Sequence, residues 1–515
     1  MSEIAPLLAA GLHPIDWAIL VLYAGSTLFL GWWLGRKQSS TQEYFIGSGR
    51  MNPVLIGVSL FATLLSTITY LSFPGETFGK GPAYMANYLV YPVIFLIVGY
   101  VLLPVYMRQQ VTSAYELLET KLGVSIRLLG AILFLVLRLV WMSLLIYMTA
   151  KALSVMVFEP GEGEKWIPLI VIITGLIAIT YTMLGGLRAV VITDLMQTIL
   201  LYGGALLIIG TVTWKMGGFG WFPTQWHDNW DKSQALFPAS LSTRVTVIGT
   251  LFQVLIWYVC TAGGDQVSVQ RFMATKDAKA ARKALAIQLI VAAVVGMTLG
   301  MVGFALLGYF EANPGDLGSY DLKTDADHMF SHFVANLLPP VVSGFVLAGL
   351  FAAAMSSIDS GVNSITAVVT TDFIDRFRTE PISDAKHVLV SRILAFSVGL
   401  IVVLLSSLVK LVPGNFTAVT NKTVNLLTVP IFCLFFFALF VRFATTFGVW
   451  IGAIFGTATA VLIAFSGPFF GFVGPKGDLD PISFQWIAPI TLVVNIAVGS
   501  LASWLDRRLG LFHRS

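Results

Sequence analysis

The sequence predicts an all-α polytopic membrane protein with about 13 transmembrane helices. Three observations carry that expectation. Of 515 residues, 57% are hydrophobic and only 11% are charged, and the mean hydropathy is +0.83. Apolar runs long enough to cross a bilayer recur from end to end. The basic residues sit between these runs, so the net charge of +4 is no nucleic-acid signal. The two cysteines, Cys260 and Cys433, both lie in apolar runs, which argues against a disulfide framework or a zinc site.

Taken in order, the spans are expected at roughly 14–35, 53–79, 83–107, 123–157, 165–184, 189–214, 244–268, 281–310, 329–373, 388–411, 421–442, 446–466 and 482–504. The first run ends in Arg36 and Lys37 and lacks a cleavage pattern, and residues 1–16 carry no basic region. It reads as a retained helix, not a signal peptide. Segments 123–157 and 329–373 exceed one crossing and should tilt or add a turn outside the lipid. Trp221, Trp226 and Trp230 of loop 215–243 are expected at the interface. About twenty Lys and Arg fall on one side and about nine on the other. That bias places the N-terminus outside and the C-terminus in the cytoplasm, with the acidic loop 311–328 outside. The compact loops lean toward a bacterial inner membrane.

Residues 349–372 are the most informative stretch. Their flanks are apolar, yet they carry Ser356, Ser357, Asp359, Ser360, Asn363, Ser364 and Thr366. Ser356, Asp359, Ser360 and Asn363 recur at spacings of three and four, so they share a helix face. Hydroxyls and a carboxylate are hard ligands suited to an alkali or alkaline-earth cation. A polar seam bonding neighbouring helices is the other reading. The acid favours the cation, because a carboxylate inside a membrane helix is costly and marks function.

Two spans are interrupted. In 57–75, Ser66, Thr67, Thr69 and Ser72 crowd the middle and Pro74-Gly75 follow. Pro removes a backbone donor, and Gly favours irregular backbone. Such backbone at membrane depth is tolerated where it lines a cavity; an ordinary kinked helix is the alternative. In 257–271, Gly263, Gly264 and Asp265 break an apolar helix. Two interrupted helices five spans apart point to inverted repeats with a site between them.

Several local patterns together resemble the sodium/solute symporter family, which includes sodium/glucose, sodium/sialic acid, sodium/proline and sodium/multivitamin cotransporters. They are Glu43-Tyr44-Phe45 with Gly47, residues 112–119, residues 185–190 with Thr193, Asp194 and Gln197, Asp265 and Gln266 with Val269-Gln270-Arg271, and residues 352–372. The resemblance implies a five-plus-five inverted-repeat, LeuT-like core with core helices 1 and 6 broken, Na+ as coupling ion, and uptake by alternating access. It places a peripheral helix at 1–37, the repeats at 53–214 and 244–442, and further peripheral helices at 446–504. Carried over residue by residue, the main Na+ site falls on Ala62, Leu65, Ala353, Ser356 and Ser357. A second cation site found in some relatives falls on Asp194, Ser356, Asp359 and Ser360. Sialic-acid relatives have a hydroxyl where Asp359 stands, so this acid either strengthens cation binding or carries a proton. Asp194 has a pairing with Arg188 as its alternative role.

The resemblance puts the solute pocket near the midplane, on Thr63, Ser66, Thr67, Thr69, Phe78, Asn87, Tyr88, Gln253, Trp257, Tyr258 and Asn421. The acid that helps anchor sugar in the sodium/glucose branch is replaced by Tyr88. The arginine that fixes sialic acid is replaced by Trp141, with Arg138 one turn earlier. Arg138 suits a carboxylate solute through bidentate pairing; neutralising Glu76 or snorkelling are its other roles. Trp257 and Tyr258 either stack on a ring or serve as packing and gate aromatics. In residues 61–69 the first broken span is most similar to bacterial sodium/sialic acid symporters.

The expected function is therefore Na+-driven import of a small polar organic solute: a carboxylate, sialic acid or a sugar-like molecule. A proton-coupled carrier using Asp194 or Asp359, and a non-transporting sensor or channel on the same fold, are the alternatives. No pore-lining charge ring is present. An enzyme is not expected, since the six histidines fall mostly in loops without a nucleophile partner. The expected partners are the small-molecule substrate, sodium ions and the lipid bilayer. A monomer is the expected unit, and no nucleic acid is expected.

Overall fold

The structure, a computed structural model, describes residues 12–36, 41–108, 111–158, 162–231, 241–379, 383–407, 409, 416–470 and 481–510. The residues before Leu12, Lys37, part of loop 215–243, Asn415 and the tail after Gly510 lie outside the described residues. The spans are α1 (Pro14–Gly35), α2 (Pro53–Leu64), α3 (Thr67–Gly79), α4 (Pro82–Tyr106), α5 (Val124–Val157), α6 (Ile167–Lys215) and α7 (Val247–Gly264). They continue as α8 (Gln266–Met273), α9 (Ala278–Ala312), α10 (Val342–Val368), α11 (Asp384–Ser406), α12 (Phe416–Phe440), α13 (Thr446–Ala464) and α14 (Ile487–Leu509).

Eleven helices among the described residues are long and apolar enough to cross a membrane, and the bent pair α2–α3 makes twelve. One of the eleven, Gly163–Lys215, has 53 residues. At 1.5 Å per residue that is about 80 Å, more than twice a hydrocarbon core. Gly186 breaks it with φ 57° and ψ −168°, a backbone that glycine alone adopts freely. Both arms lie along α10: Tyr181 of the first bonds Asp359, and Leu200 and Leu201 of the second pack on Gly349. α6 is thus two crossings, which matches the thirteen expected.

Two expectations need correction. The first broken span does not yield at Pro74-Gly75, which lie inside α3. It yields at Leu65 and Ser66, which are extended, and α2 and α3 bend by 69° there. The Ser66 hydroxyl accepts from Thr69 N at 3.2 Å, so a side-chain cap starts the new helix. Segment 329–373 is not one long span either. A separate helix, Ala326–Asn336, precedes Pro339 and Pro340, and α10 begins after them. In loop 215–243, Trp226 is exposed while Trp221 and Trp230 are buried against the protein; the Trp230 ring lies 5.5 Å from that of Phe304, and its Nε1 donates to the Phe78 carbonyl.

The second broken helix yields where the sequence marks it. Gly264 ends α7, and the Asp265 carboxylate accepts from Val267 N at 3.0 Å to start α8. The Gly263 and Gly264 carbonyls accept from the hydroxyls of Tyr106 and Tyr115. A Cβ on Gly264 would meet the Phe432 backbone at 2.8 Å, so α7 crosses α12 at a contact only glycine allows. At the head of α10, Asp16 of α1 accepts from Val341 N at 2.8 Å, Gly344 N at 3.0 Å and Ser343 Oγ at 3.0 Å. The first span therefore caps the most buried one.

Gly264→Ala is expected to lower the apparent melting temperature of the purified protein, since overpacking of this kind costs about 1–3 kcal/mol. Gly203→Ala meets nothing within 4 Å and should leave it unchanged. A thermal-shift measurement in detergent compares the two.

Candidate functional site: a buried cation site beside a polar cavity

The break between α2 and α3 frees backbone carbonyls in the membrane interior, where an unpaired carbonyl is costly. α10 supplies the donors. Ser356 Oγ donates to Ala62 O at 2.8 Å and to Ala353 O at 3.1 Å. Ser357 Oγ donates to Thr63 O at 3.1 Å and approaches Leu65 O at 3.4 Å. The five residues expected at the main Na+ site, Ala62, Leu65, Ala353, Ser356 and Ser357, are thus brought together and all are buried. Their three carbonyls and two hydroxyls form an uncharged set of hard oxygens, suited to a monovalent cation that must later leave. Turning the hydroxyl lone pairs inward would convert the present hydrogen bonds into ion ligands.

Asp194, Asp359 and Ser360 lie alongside, fully buried. Asp194 Oδ2 accepts from Ser59 Oγ at 2.5 Å. Asp359 Oδ2 accepts from the Tyr181 hydroxyl at 2.6 Å, and its Oδ1 from Ser360 Oγ at 3.0 Å. Arg271, not Arg188, is the cation beside Asp194. Its guanidinium stands 3.6 Å from Asp194 Oδ2 and donates to Ser59 at 2.8 Å and to Ser360, while Arg188 is exposed. Two buried carboxylates face one guanidinium, so a further monovalent cation would balance the charge. Asp194 Oδ1 and both polar atoms of Gln197 and of Asn363 have no hydrogen-bond partner. Sequence reading quoted Arg271 in a motif but gave it no role. The signal was there: an arginine in the short segment that follows the Gly263-Gly264-Asp265 break.

A cavity of about 160 Å³ opens beside these sites. Of the residues expected at the solute pocket, Thr69, Asn87, Tyr88, Gln253, Trp257, Tyr258 and Asn421 line it. The structure also adds Phe61, Phe73, Tyr84, Tyr91 and Trp141, which sequence reading left out. Tyr91 and Tyr258 share a hydroxyl bond of 3.1 Å, and Gln253 donates to Asn421. Four expected residues point elsewhere, and these expectations are corrected. Thr63 bonds Ser360 at 2.8 Å; Ser66 caps α3; Thr67 donates to the Leu350 carbonyl at 3.3 Å; Phe78 packs against Phe310. Thr63, Thr67 and Phe78 are drawn off by partners on other helices, which spacing alone does not show.

Arg138 is also displaced from the expected place. It pairs with Asp265 at the second break, and both are buried. The pair lines a separate cavity of about 30 Å³ that shares Leu64, Trp141, Trp257 and Val424 with the larger one.

Two broken helices, an oxygen cage shared by α2 and α10, and a cavity lined by aromatic, amide and hydroxyl side chains are the parts of an ion-coupled membrane carrier. The chain matches the sodium:solute symporter family over residues 44–456 and belongs to that family. Among curated relatives, the sodium/sialic acid symporter SiaT of Proteus mirabilis (strain HI4320) is 29% identical over 479 residues, covering 89% of this chain and 92% of the relative. The sodium/sialic acid symporter NanT of Aliivibrio fischeri (strain ATCC 700601 / ES114) is 29% identical over 465 residues, covering 87% of each. A solved structure of a substrate-bound, outward-open Na+-coupled sialic acid symporter superposes with a TM-score of 0.80 at 24% identity, covering 96% of this chain and 98% of that one. That likeness shows the fold, which is LeuT-like. The chain is a multi-pass membrane protein and a sodium-coupled solute symporter, with Na+ as coupling ion. Its family and these relatives are transporters.

Ser357→Ala removes one hydroxyl from the cage. The Na+ concentration for half-maximal thermal stabilisation should rise roughly tenfold, equivalent to about 1.4 kcal/mol. An unchanged midpoint would place Na+ elsewhere.

Proposed function

We propose that the chain imports a neutral, hydroxyl-bearing, ring-containing solute of the sugar class together with Na+. The observation that carries this reading is the lining of the larger cavity. Aromatic faces (Phe61, Tyr84, Trp257) alternate with amides and hydroxyls (Asn87, Gln253, Asn421, Thr69, Ser72), and no Lys, Arg or His lines it among the described residues. Amides and hydroxyls meet sugar hydroxyls in both senses, as donors and acceptors. Aromatic faces cover the apolar side of a ring. A carboxylate would enter with no opposite charge to meet it.

In this reading Na+ binds Ala62, Leu65, Ala353, Ser356 and Ser357 and ties α2 to α10. A second Na+ binds Asp194, Ser356, Asp359 and Ser360. The inverted repeats run over 53–214 and 244–442, flanked by peripheral helices at 1–37 and 446–504. The protein works as a monomer, with its N-terminus outside and its C-terminus in the cytoplasm. Na+ bridging the two bundles favours one open state, so solute and ion bind each other's state more tightly.

A carboxylate solute is the second reading. Arg138 favours it, since its cavity shares four residues with the larger one, and so do the sialic acid symporters among the relatives.

Uptake into proteoliposomes of labelled neutral sugars, sialic acid, short carboxylates, proline and vitamins, with and without an inward Na+ gradient, tests both. Na+-dependent uptake of a neutral sugar is the expected result, and uptake confined to acids selects the second reading. Na+ and solute fluxes should stand at two to one in the wild type and fall in Asp359→Ala. A ratio of one to one in both would remove the second ion.

A further inference from the structure

Among the described residues, one charged side chain lines the larger cavity: Glu76 of α3. It is 4% exposed. Its two oxygens accept from the two terminal nitrogens of Arg244, each at 2.7 Å. Arg244 stands three residues before α7, so this pair joins the outer arms of both broken helices.

Arg244 is held from behind. Its carbonyl accepts from Ser483 Oγ at 2.5 Å, and its guanidinium lies 5.7 Å from the Phe484 ring. Thr243 O and Thr246 N on either side both bond Gln485, at 2.9 and 3.2 Å. Burial disfavours its charge, yet Glu76 holds its pKa above the ordinary arginine value. The guanidinium itself does not line the cavity. Glu76 stands between it and the solute.

We propose that Glu76 is the charge-selecting residue of this transporter. The inference rests on the neutral-solute reading and adds a cause to it. A carboxylate has about four lone-pair positions, and Arg244 occupies two. The others are free to accept from solute hydroxyls. An anionic solute meets like charge at short range in a poorly solvated cavity, where repulsion is strong. Arg244 engages both Glu76 oxygens, which keeps its own fork occupied. With Glu76 neutral, that fork is left to bind carboxylates bidentately.

The test uses matched neutral and acid solutes: D-glucose with D-glucuronate, D-galactose with D-galacturonate, and N-acetyl-D-mannosamine with N-acetylneuraminate. Uptake is measured in proteoliposomes under an inward Na+ gradient. Binding is measured by quenching of tryptophan fluorescence, since Trp141 and Trp257 line the cavity. The wild type should favour the neutral member of a pair. In Glu76→Gln the neutral-to-acid ratio should fall at least tenfold. The double variant Glu76→Gln/Arg244→Gln, which leaves no lone buried guanidinium, should lose the rejection of acids but gain less acid binding than Glu76→Gln.

A wild-type ratio retained in both variants overturns the role of Glu76 while leaving the neutral-solute reading intact. A wild type that prefers the acids overturns the neutral-solute reading. In that case a ratio moved still further toward acids by Glu76→Gln upholds Glu76 as the selector, and an unmoved ratio overturns it too.

Discussion

The constraint on which this structure depends is that backbone carbonyls inside a membrane must be satisfied. Breaking a helix at Leu65 and Ser66 frees carbonyls that no residue of the same helix can reach. The fold answers by laying a serine-bearing face of α10 against the break, so that Ser356 and Ser357 donate to Ala62, Ala353 and Thr63. The same oxygens are hard ligands. In the proposed Na+ site, a packing requirement and the ion's ligands are therefore one arrangement in two hydroxyl orientations. Closing the carbonyls with hydroxyls costs little, and exchanging hydroxyl donors for an ion is reversible. Reversibility is what a carrier needs, because an ion bound too tightly would not be released.

Charge is handled by the same economy of partners. Arg271, Arg138, Arg127 and Arg244 each face a buried or half-buried carboxylate from a distant part of the chain. Arg138–Asp265 is locked at the second break, and Glu76–Arg244 sits at the cavity. Around Asp194 and Asp359 two fully buried carboxylates share the one guanidinium of Arg271. That imbalance lies beside the uncharged cage, so the two proposed cation sites differ chemically: one offers dipoles, the other net charge.

Much of this was legible in the sequence, and the reason differs from element to element. The face of α10 was visible because serines and an acid in an apolar run recur at helical spacing. The second break was visible because Gly263, Gly264 and Asp265 combine a close approach with a capping side chain. The first break was misplaced because Pro74 and Gly75 are the louder local signal, whereas the actual break is set by the Ser66 cap and by donors on α10. The pairing of Arg138 with Asp265 and the role of Arg271 were not legible. Their partners come from helices far apart in the chain, and periodicity within one helix carries no information about them. The same holds for Thr63, Thr67 and Phe78, which are polar or aromatic at the right depth but are claimed by other neighbours.

The central claim is that the cage between α2 and α10 couples ion to solute. The most direct measurement is reciprocal binding on the purified protein: radiolabelled Na+ affinity with and without the transported solute, and solute affinity in Na+ and in K+. The account predicts that solute tightens Na+ binding by the same factor as Na+ tightens solute binding, and that the factor collapses toward one in Ser357→Ala. Solute affinity that is equal in Na+ and K+ would contradict it.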